Sequence, residues 1–401
     1  MMPGKETDFT LFSGILLFLK NKFKICVIFS LTWVWIRNII YIISSLEREG
    51  MNRIFTILVM IGVPLTAIGS FMDWSSIAMF IICSITVVAI SSFMGRATES
   101  LAIVSGPRIG GLLNATFGNA VELIISIFAL KAGLIGVVLA SLTGSVLGNL
   151  LLVGGLSFFL GGIKFKRQKF SVHDAQHNSG LLVFAVIVAF VIPEIFSMSM
   201  NDTKTLQLSV GISVIMIVLY LAGLFFKLVT HRGVYAHREE STESEHEEPE
   251  WTKKKSLTIL VLSTLAVAFV SESLVHTFEA VGEQFGWSEL FIGVIIVAIV
   301  GNAAEHSSAI LMAMKNKMDV AVEIAIGSTL QIAMFVAPVL VIISLFMPTA
   351  MPLVFTIPEL VAMATAVLLT ISVSNDGESN WFEGLTLLAA YLIMGIGFFL
   401  L

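Results

Sequence analysis

The sequence predicts an all-α integral membrane protein of about eleven transmembrane helices that carries an inverted repeat. Three observations predict this class. Hydrophobic residues make up 57% of the 401 and charged residues only 13%. A soluble domain carries roughly 25% charged residues, so most of this surface must face lipid. The apolar runs are continuous, near the roughly 20 residues that cross a bilayer as a helix, and do not alternate as a membrane barrel requires. Finally, a short polar motif recurs inside two of these runs, 183 residues apart.

Taken in order, the first 50 residues differ from the rest. They hold an apolar run from Ile25 to Ser44, broken by Arg37 and preceded by Lys20-Asn21-Lys22-Phe23-Lys24. Neither the position nor a small-residue cleavage site suits a signal peptide. Glu47-Arg48-Glu49-Gly50 precedes Met51, and its codons can spell a purine-rich ribosome-binding site. Met51 is therefore expected as the natural start, with an extra span or interfacial helix as the rival reading. Eleven apolar stretches follow, at 53–71, 75–95, 111–130, 134–162, 179–200, 206–229, 256–278, 288–312, 320–347, 353–374 and 382–401. The segment between the sixth and seventh stretches, 231–255, is an acidic linker.

Lysine and arginine favour the cytoplasmic side of a membrane. With Met51 inside, fifteen of these residues fall in inside loops, and only Lys131 and Lys204 fall outside. The asymmetry supports both the span count and a multi-pass chain in a cell membrane with the acidic linker cytosolic. That linker carries Glu239, Glu240, Glu243, Glu245, Glu247, Glu248 and Glu250. It reads equally as a solvated linker and as a cation-attracting or regulatory acidic helix. Cys26 and Cys83 both lie in apolar runs and define no disulfide or thiolate site. No basic patch interleaved with aromatics suggests nucleic acid.

The chemistry sits in the repeat. Gly118-Asn119-Ala120-Val121-Glu122 in the third span matches Gly301-Asn302-Ala303-Ala304-Glu305 in the eighth. At the same offset Gly144-Ser145-Val146-Leu147 matches Gly327-Ser328-Thr329-Leu330, and residues 118–149 and 301–332 share nine identities without a gap. Spans three and eight are five apart, so the copies cross in opposite directions, as in many secondary transporters. Glu122 lies roughly 16 Å along its span at 1.5 Å per residue, close to the middle of a hydrocarbon core roughly 30 Å thick.

An ionised, unpaired carboxylate at that depth costs about 2.5–3.5 kcal/mol or more. Two facing carboxylates cannot both stay charged without a cation. They hold protons, or they hold one divalent ion, and they titrate as a unit. Ca2+ takes 6–8 oxygens. Asn119 and Asn302 share a helix face with their glutamates. Gly118 and Gly301 favour broken helices that expose carbonyls to a cavity, and Ser145, Ser328 and Gln331 supply further oxygens. No Cys or Met cluster suggests a soft metal. The bland readings are a structural hydrogen-bonding Glu, interhelical glue for the Asn residues, and close helix packing for the small residues. His306 suits a proton relay or a packing histidine; Glu272 with His276 suits an exit path or a surface pair. Arg96 and Glu99 read as an interfacial pair. Asn375-Asp376-Gly377-Glu378 reads as an inner turn leading into a capped helix with an interfacial Trp381.

These residues resemble a known family. Leu112-Leu113-Asn114-Ala115-Thr116-Phe117-Gly118-Asn119-Ala120-Val121-Glu122 is similar to the first signature of the Ca2+/H+ exchangers, the CAX branch of the Ca2+/cation antiporters, and Gly301-Asn302-Ala303-Ala304-Glu305-His306 resembles the second. Lys315–Asp319, Gly327–Phe335 and Asp376–Gly384 also fit, so the likeness spans roughly 51–401. The resemblance implies a fold of one leading helix (51–72) followed by two inverted five-helix repeats (75–230 and 256–401), and Ca2+ export driven by inward protons, with ion-binding roles on Glu122 and Glu305 and the Asn and Gly-Ser positions around them. It implies no cofactor, Ca2+ and H+ as transported partners, and a cytosolic acidic helix in the linker. A homo-oligomer stays open. The rivals are a Na+-driven exchanger, which typically places Thr-Ser and Pro around its acidic residue, and a cation channel. An enzyme is not expected, for the spans hold no Ser-His or paired-Asp motif.

Overall fold

In a computed structural model, residues 48–230 and 249–401 are described below. The expectations for residues 1–47 and for the acidic run from Glu239 to Glu248 lie outside the described residues. The chain divides into two compact units, Met1–Ile57 and Leu58–Leu401; apart from the start of the first described helix, the features that follow lie in the second.

The described chain is helical almost throughout. Helix α1 covers Arg48–Phe71, α2 Ser76–Ser105, α3 Pro107–Phe117 and α4 Ala120–Lys131. Helix α5 covers Ile135–Phe165, α6 Ala175–Ser197 and α7 Asp202–Thr230. Helix α8 covers Lys253–Val275, α9 Phe278–Phe285, α10 Glu289–Gly301 and α11 Ala303–Met314. Helix α12 covers Met318–Ser344, α13 Ile357–Ser374 and α14 Trp381–Leu400. Among the described residues nine helices are long and apolar enough to cross a membrane, or ten if the bent pair α9 and α10 counts as one span. The expected third and eighth spans are not among the nine, because each is interrupted: α3 gives way to α4 at Gly118-Asn119, and α10 to α11 at Asn302. Two further differences stand out. Helix α2 runs ten residues beyond its expected end at 95. The 116° bend between α9 and α10 was not expected; Gly286 takes a left-handed turn there (φ +67°) and Ser288 caps the next helix.

Helix boundaries follow local chemistry. Ser75 caps α2, Asn201 caps α7, and Asn380 caps α14 in a reciprocal box with Glu383. Each cap satisfies amides that a helix end leaves unpaired. Trp381 follows the last cap and is 47% exposed, as expected for an interfacial aromatic.

Helices α5 and α12 form the interior. In α5 78% of the apolar stretch is buried and in α12 67%, against 11% in lipid-facing α7. Both central helices widen into a π-helical turn at matched repeat positions, Gly148–Val153 and Ile332–Val336. Such turns are single-residue insertions that collect at functional sites. Helix α5 meets α10 backbone to backbone. A Cβ on Gly144 would stand 2.6 Å from the Cα of Val294, and one on Gly293 would stand 2.6 Å from the carbonyl oxygen of Val137. Small residues let membrane helices approach this closely.

Three loops that the charge bias places inside come together. Strand β1 (Gln168–Lys169) pairs antiparallel with β2 (Glu378–Ser379). Arg167 and Lys169 form ion pairs with Glu378. The Ser171 amide donates to Asp319 Oδ1 at 2.6 Å, and Gln168 Nε2 donates to the Ala313 carbonyl at 2.9 Å. Loops can meet this way only if an even number of crossings separates them, which holds when α10 and α11 together cross once. The Asp376–Glu378 turn has Gly377 at φ +70° and leads into capped α14, as its sequence suggests.

Candidate ion site

Both glutamates stand in the first turn of a helix that begins at a break. Glu122 is the third residue of α4 and Glu305 the third of α11. The positive end of a helix dipole favours a carboxylate there. Asn119 and Asn302 occupy the capping positions, with φ −95° and −106°, yet neither side chain caps its helix. Their amides turn into the site. Asn119 Nδ2 donates to Gln331 Oε1 of α12 at 2.6 Å. Asn302 Nδ2 donates to Ser145 Oγ of α5 at 2.9 Å and to the Ala298 carbonyl at 3.0 Å.

Each glutamate takes a hydroxyl from the central helix of its own repeat. Ser145 Oγ donates to Glu122 Oε1 at 2.6 Å, and Ser328 Oγ donates to Glu305 Oε2. Each also faces the glycine of the other repeat. A Cβ on Gly118 would stand 2.8 Å from Glu305 Oε1, and one on Gly301 would stand 3.4 Å from Glu122 Cβ. The nine residues singled out from the repeat, Gly118, Asn119, Glu122, Ser145, Gly301, Asn302, Glu305, Ser328 and Gln331, therefore lie in one connected cluster. The two halves are not equal. Glu122 is 0% exposed, while Glu305 is only partly buried. Asn302 reaches the serine of the opposite repeat, whereas Asn119 reaches Gln331, three residues beyond Ser328 and next to the π-helical turn.

Oxygen is abundant and donors are few. Glu122 Oε2 and Asn119 Oδ1 are buried acceptors with no hydrogen-bond donor among the described residues. Leaving a buried acceptor unmet costs about 1–3 kcal/mol, more for a charged one. A cation or a proton on Glu122 removes that cost. Among the described residues no group of three or more His, Cys, Asp or Glu gathers. The cluster thus offers two carboxylates with neutral amide and hydroxyl oxygens, the donor set of a hard cation.

Other singled-out residues lie elsewhere. His306 is buried beside Glu305, but its Nε2 donates to Asn149 Oδ1 at 3.1 Å. Asn149 went unremarked in the sequence; the available signal was an amide inside an otherwise apolar run. Glu272 pairs with Lys131 at 2.9 Å on an exposed surface rather than with the side chain of His276. Arg96 donates to Glu250 at 3.1 Å and lies 4.6 Å from the Phe93 ring centre and 5.1 Å from that of Trp251, so the end of the acidic linker is fastened to α2.

Comparison with known proteins places this cluster in context. The chain is 72% identical to the Ca(2+)/H(+) antiporter ChaA of Bacillus subtilis (strain 168) over 351 residues, 88% of this chain and all of that one. It superposes on the structure of native YfkE with a TM-score of 0.77 and 66% identity, covering 86% of this chain and all of the other. The crystal structure of the H+/Ca2+ exchanger CAX shares the fold, with a TM-score of 0.65 at 14% identity over 87% of this chain and 92% of that one. Residues 75–229 and 255–400 match the sodium/calcium exchanger protein family, interrupted only across the acidic linker. With both repeats inside that match, the chain belongs to the sodium/calcium exchanger protein family.

Proposed function

We propose that this protein is a Ca2+/H+ antiporter that exports cytosolic Ca2+ by alternating access. Glu122 and Glu305, one from each five-helix half, share a single site near the membrane midplane and hold either Ca2+ or protons. One observation carries the reading: a fully buried carboxylate oxygen, Glu122 Oε2, lies with the amide oxygen Asn119 Oδ1 in one cluster, and neither has a donor among the described residues. Relatives named as Ca2+/H+ antiporters support the choice of ions.

Each step follows from the donor set. Facing the cytosol, the pair releases protons and takes Ca2+, with Asn119, Asn302, Ser145, Ser328 and Gln331 supplying neutral oxygens. With its charge neutralised, the site can pass through the low-dielectric interior as the two halves rock about it. Outside, protons displace Ca2+ and neutralise the carboxylates for the return. No enzyme chemistry and no resident cofactor enter this cycle. Unbalanced charge costs about 2.3 kcal/mol per 100 mV, so the proton count per Ca2+ sets the voltage dependence.

Inside-out vesicles test the proposal. A pH gradient should drive Ca2+ uptake that is indifferent to Na+. Glu122→Gln and Glu305→Gln should abolish exchange while elution and melting of the purified protein stay near wild type. Uptake that needs a Na+ gradient would replace H+ by Na+ as the coupling ion. Near-normal exchange in either variant would remove the site assignment.

A further inference from the structure

Another buried carboxylate stands outside the proposed ion site. Glu359, the third residue of α13, is 3% exposed. Its Oε2 closes a capping box, accepting from the Thr356 amide at 2.8 Å and from Thr356 Oγ1 at 2.7 Å. A capping box uses one carboxylate oxygen and ordinarily leaves the other to solvent. Here Oε1 instead accepts from Thr143 Oγ1 at 3.1 Å, across to α5 and 216 residues away in sequence.

Thr143 is fully buried and lies two residues before Ser145. Positions two apart on an α-helix are turned by about 200°, so Thr143 lies behind α5 as seen from Glu122. Three consecutive residues are thus held by three different partners. Thr143 is tied to α13, Gly144 is pressed on the Val294 backbone of α10, and Ser145 donates to Glu122 of α4. The second repeat has no such tie, because Ile326 stands on α12 where Thr143 stands on α5 and offers no side-chain donor.

We infer that Glu359, acting through Thr143, is a positioning residue that fixes the Ser145 hydroxyl relative to Glu122 and so sets the Ca2+ affinity of that half of the site. The inference rests on the Ca2+-binding reading of Glu122. Thr143→Val keeps the side-chain shape and removes the donor, leaving Glu359 Oε1 unmet in the interior. A tenfold change in affinity corresponds to about 1.4 kcal/mol, the scale of one buried hydrogen bond and so the most that this tie can contribute.

The experiment measures exchange in proteoliposomes as a function of Ca2+ for wild type, Thr143→Val, Thr143→Ser and Glu122→Gln, with the reconstituted protein quantified. The half-saturating Ca2+ concentration should rise about tenfold in Thr143→Val, with the maximal rate per molecule kept. Thr143→Ser, which restores the hydroxyl, should return it to the wild-type value. A purely structural role would lower the amount of active protein and leave half-saturation alone, so an unchanged half-saturating concentration in Thr143→Val overturns the inference. If that variant does not fold, Thr143→Ala is judged by the same criterion. If wild type shows no Ca2+ exchange, or Glu122→Gln retains it, the ion-site reading itself fails. If Glu122→Gln abolishes exchange and the Thr143 variants match wild type, only the positioning role fails.

Discussion

Alanine at Gly144 and alanine at Gly327 should have opposite effects, although the two glycines occupy the same place in the repeat. A Cβ on Gly144 would meet the Val294 backbone, with its Cα and carbonyl carbon each at 2.6 Å. Carbon atoms in contact prefer about 3.5–4.0 Å. Neither partner can rotate away, so α5 and α10 must part by about 1 Å. Overpacking of this kind costs about 1–3 kcal/mol, and an all-backbone contact belongs at the upper end. Around Gly327 nothing lies within 4 Å of the added carbon. There, replacing glycine in a helix gains about 0.5–1 kcal/mol. The helix term is common to both variants, so they should differ in stability by the overpacking cost alone, about 3 kcal/mol. Gly144→Ala should also lose exchange, because Ser145 adjoins the displaced residue and holds Glu122. Thermal unfolding in detergent with Ca2+ flux in vesicles measures both. Equal melting and equal flux in the two variants, or a worse result for Gly327→Ala, would refute the reasoning.

Two further outcomes are expected. Gly118→Ala should impair exchange strongly and Gly301→Ala mildly, as read by vesicle uptake: the added carbon falls 2.8 Å from Glu305 Oε1 in the first case and 3.4 Å from Glu122 Cβ in the second. Equilibrium Ca2+ binding should weaken as pH falls, because protons compete for the same carboxylates. Where both carboxyls carry protons, each Ca2+ displaces two, so the apparent Kd rises about a hundredfold per pH unit lost, and about tenfold in Glu305→Gln, at roughly 1.36 kcal/mol per proton per unit. Titration calorimetry over a pH series gives the slope; the same slope in both proteins would separate Glu305 from the proton count.

Much of this architecture was legible because lipid makes polarity conspicuous. Glu122 and Glu305 stand out in apolar runs, and their neighbours repeat at one offset, so Ser145 and Ser328 could be assigned to them before any contact was known. The breaks at Asn119 and Asn302 were foreshadowed by the adjoining glycines. The route of the asparagine amides was not. Asn-x-x-Glu is also a local capping pattern, and nothing nearby says that Asn119 turns to Gln331 instead of its own helix. Glu359 is similar: Thr356-x-x-Glu359 reads as a cap, while its second partner, Thr143, lies in the other repeat.

By itself the sequence determined that the chain lives in a bilayer, and it marked out which loops share a side and which carboxylates are costly to bury. These follow from composition, charge placement and periodicity, all local to the chain. Only the tertiary structure decided that the halves are unequal: Gly144 is pinned and Gly327 free, Glu122 is sealed and Glu305 partly open, and Asn302 serves a serine while Asn119 serves a glutamine. A repeat in sequence sets equivalent chemistry, but clearance and partner choice depend on how helices from distant segments cross, and that information resides in no single segment.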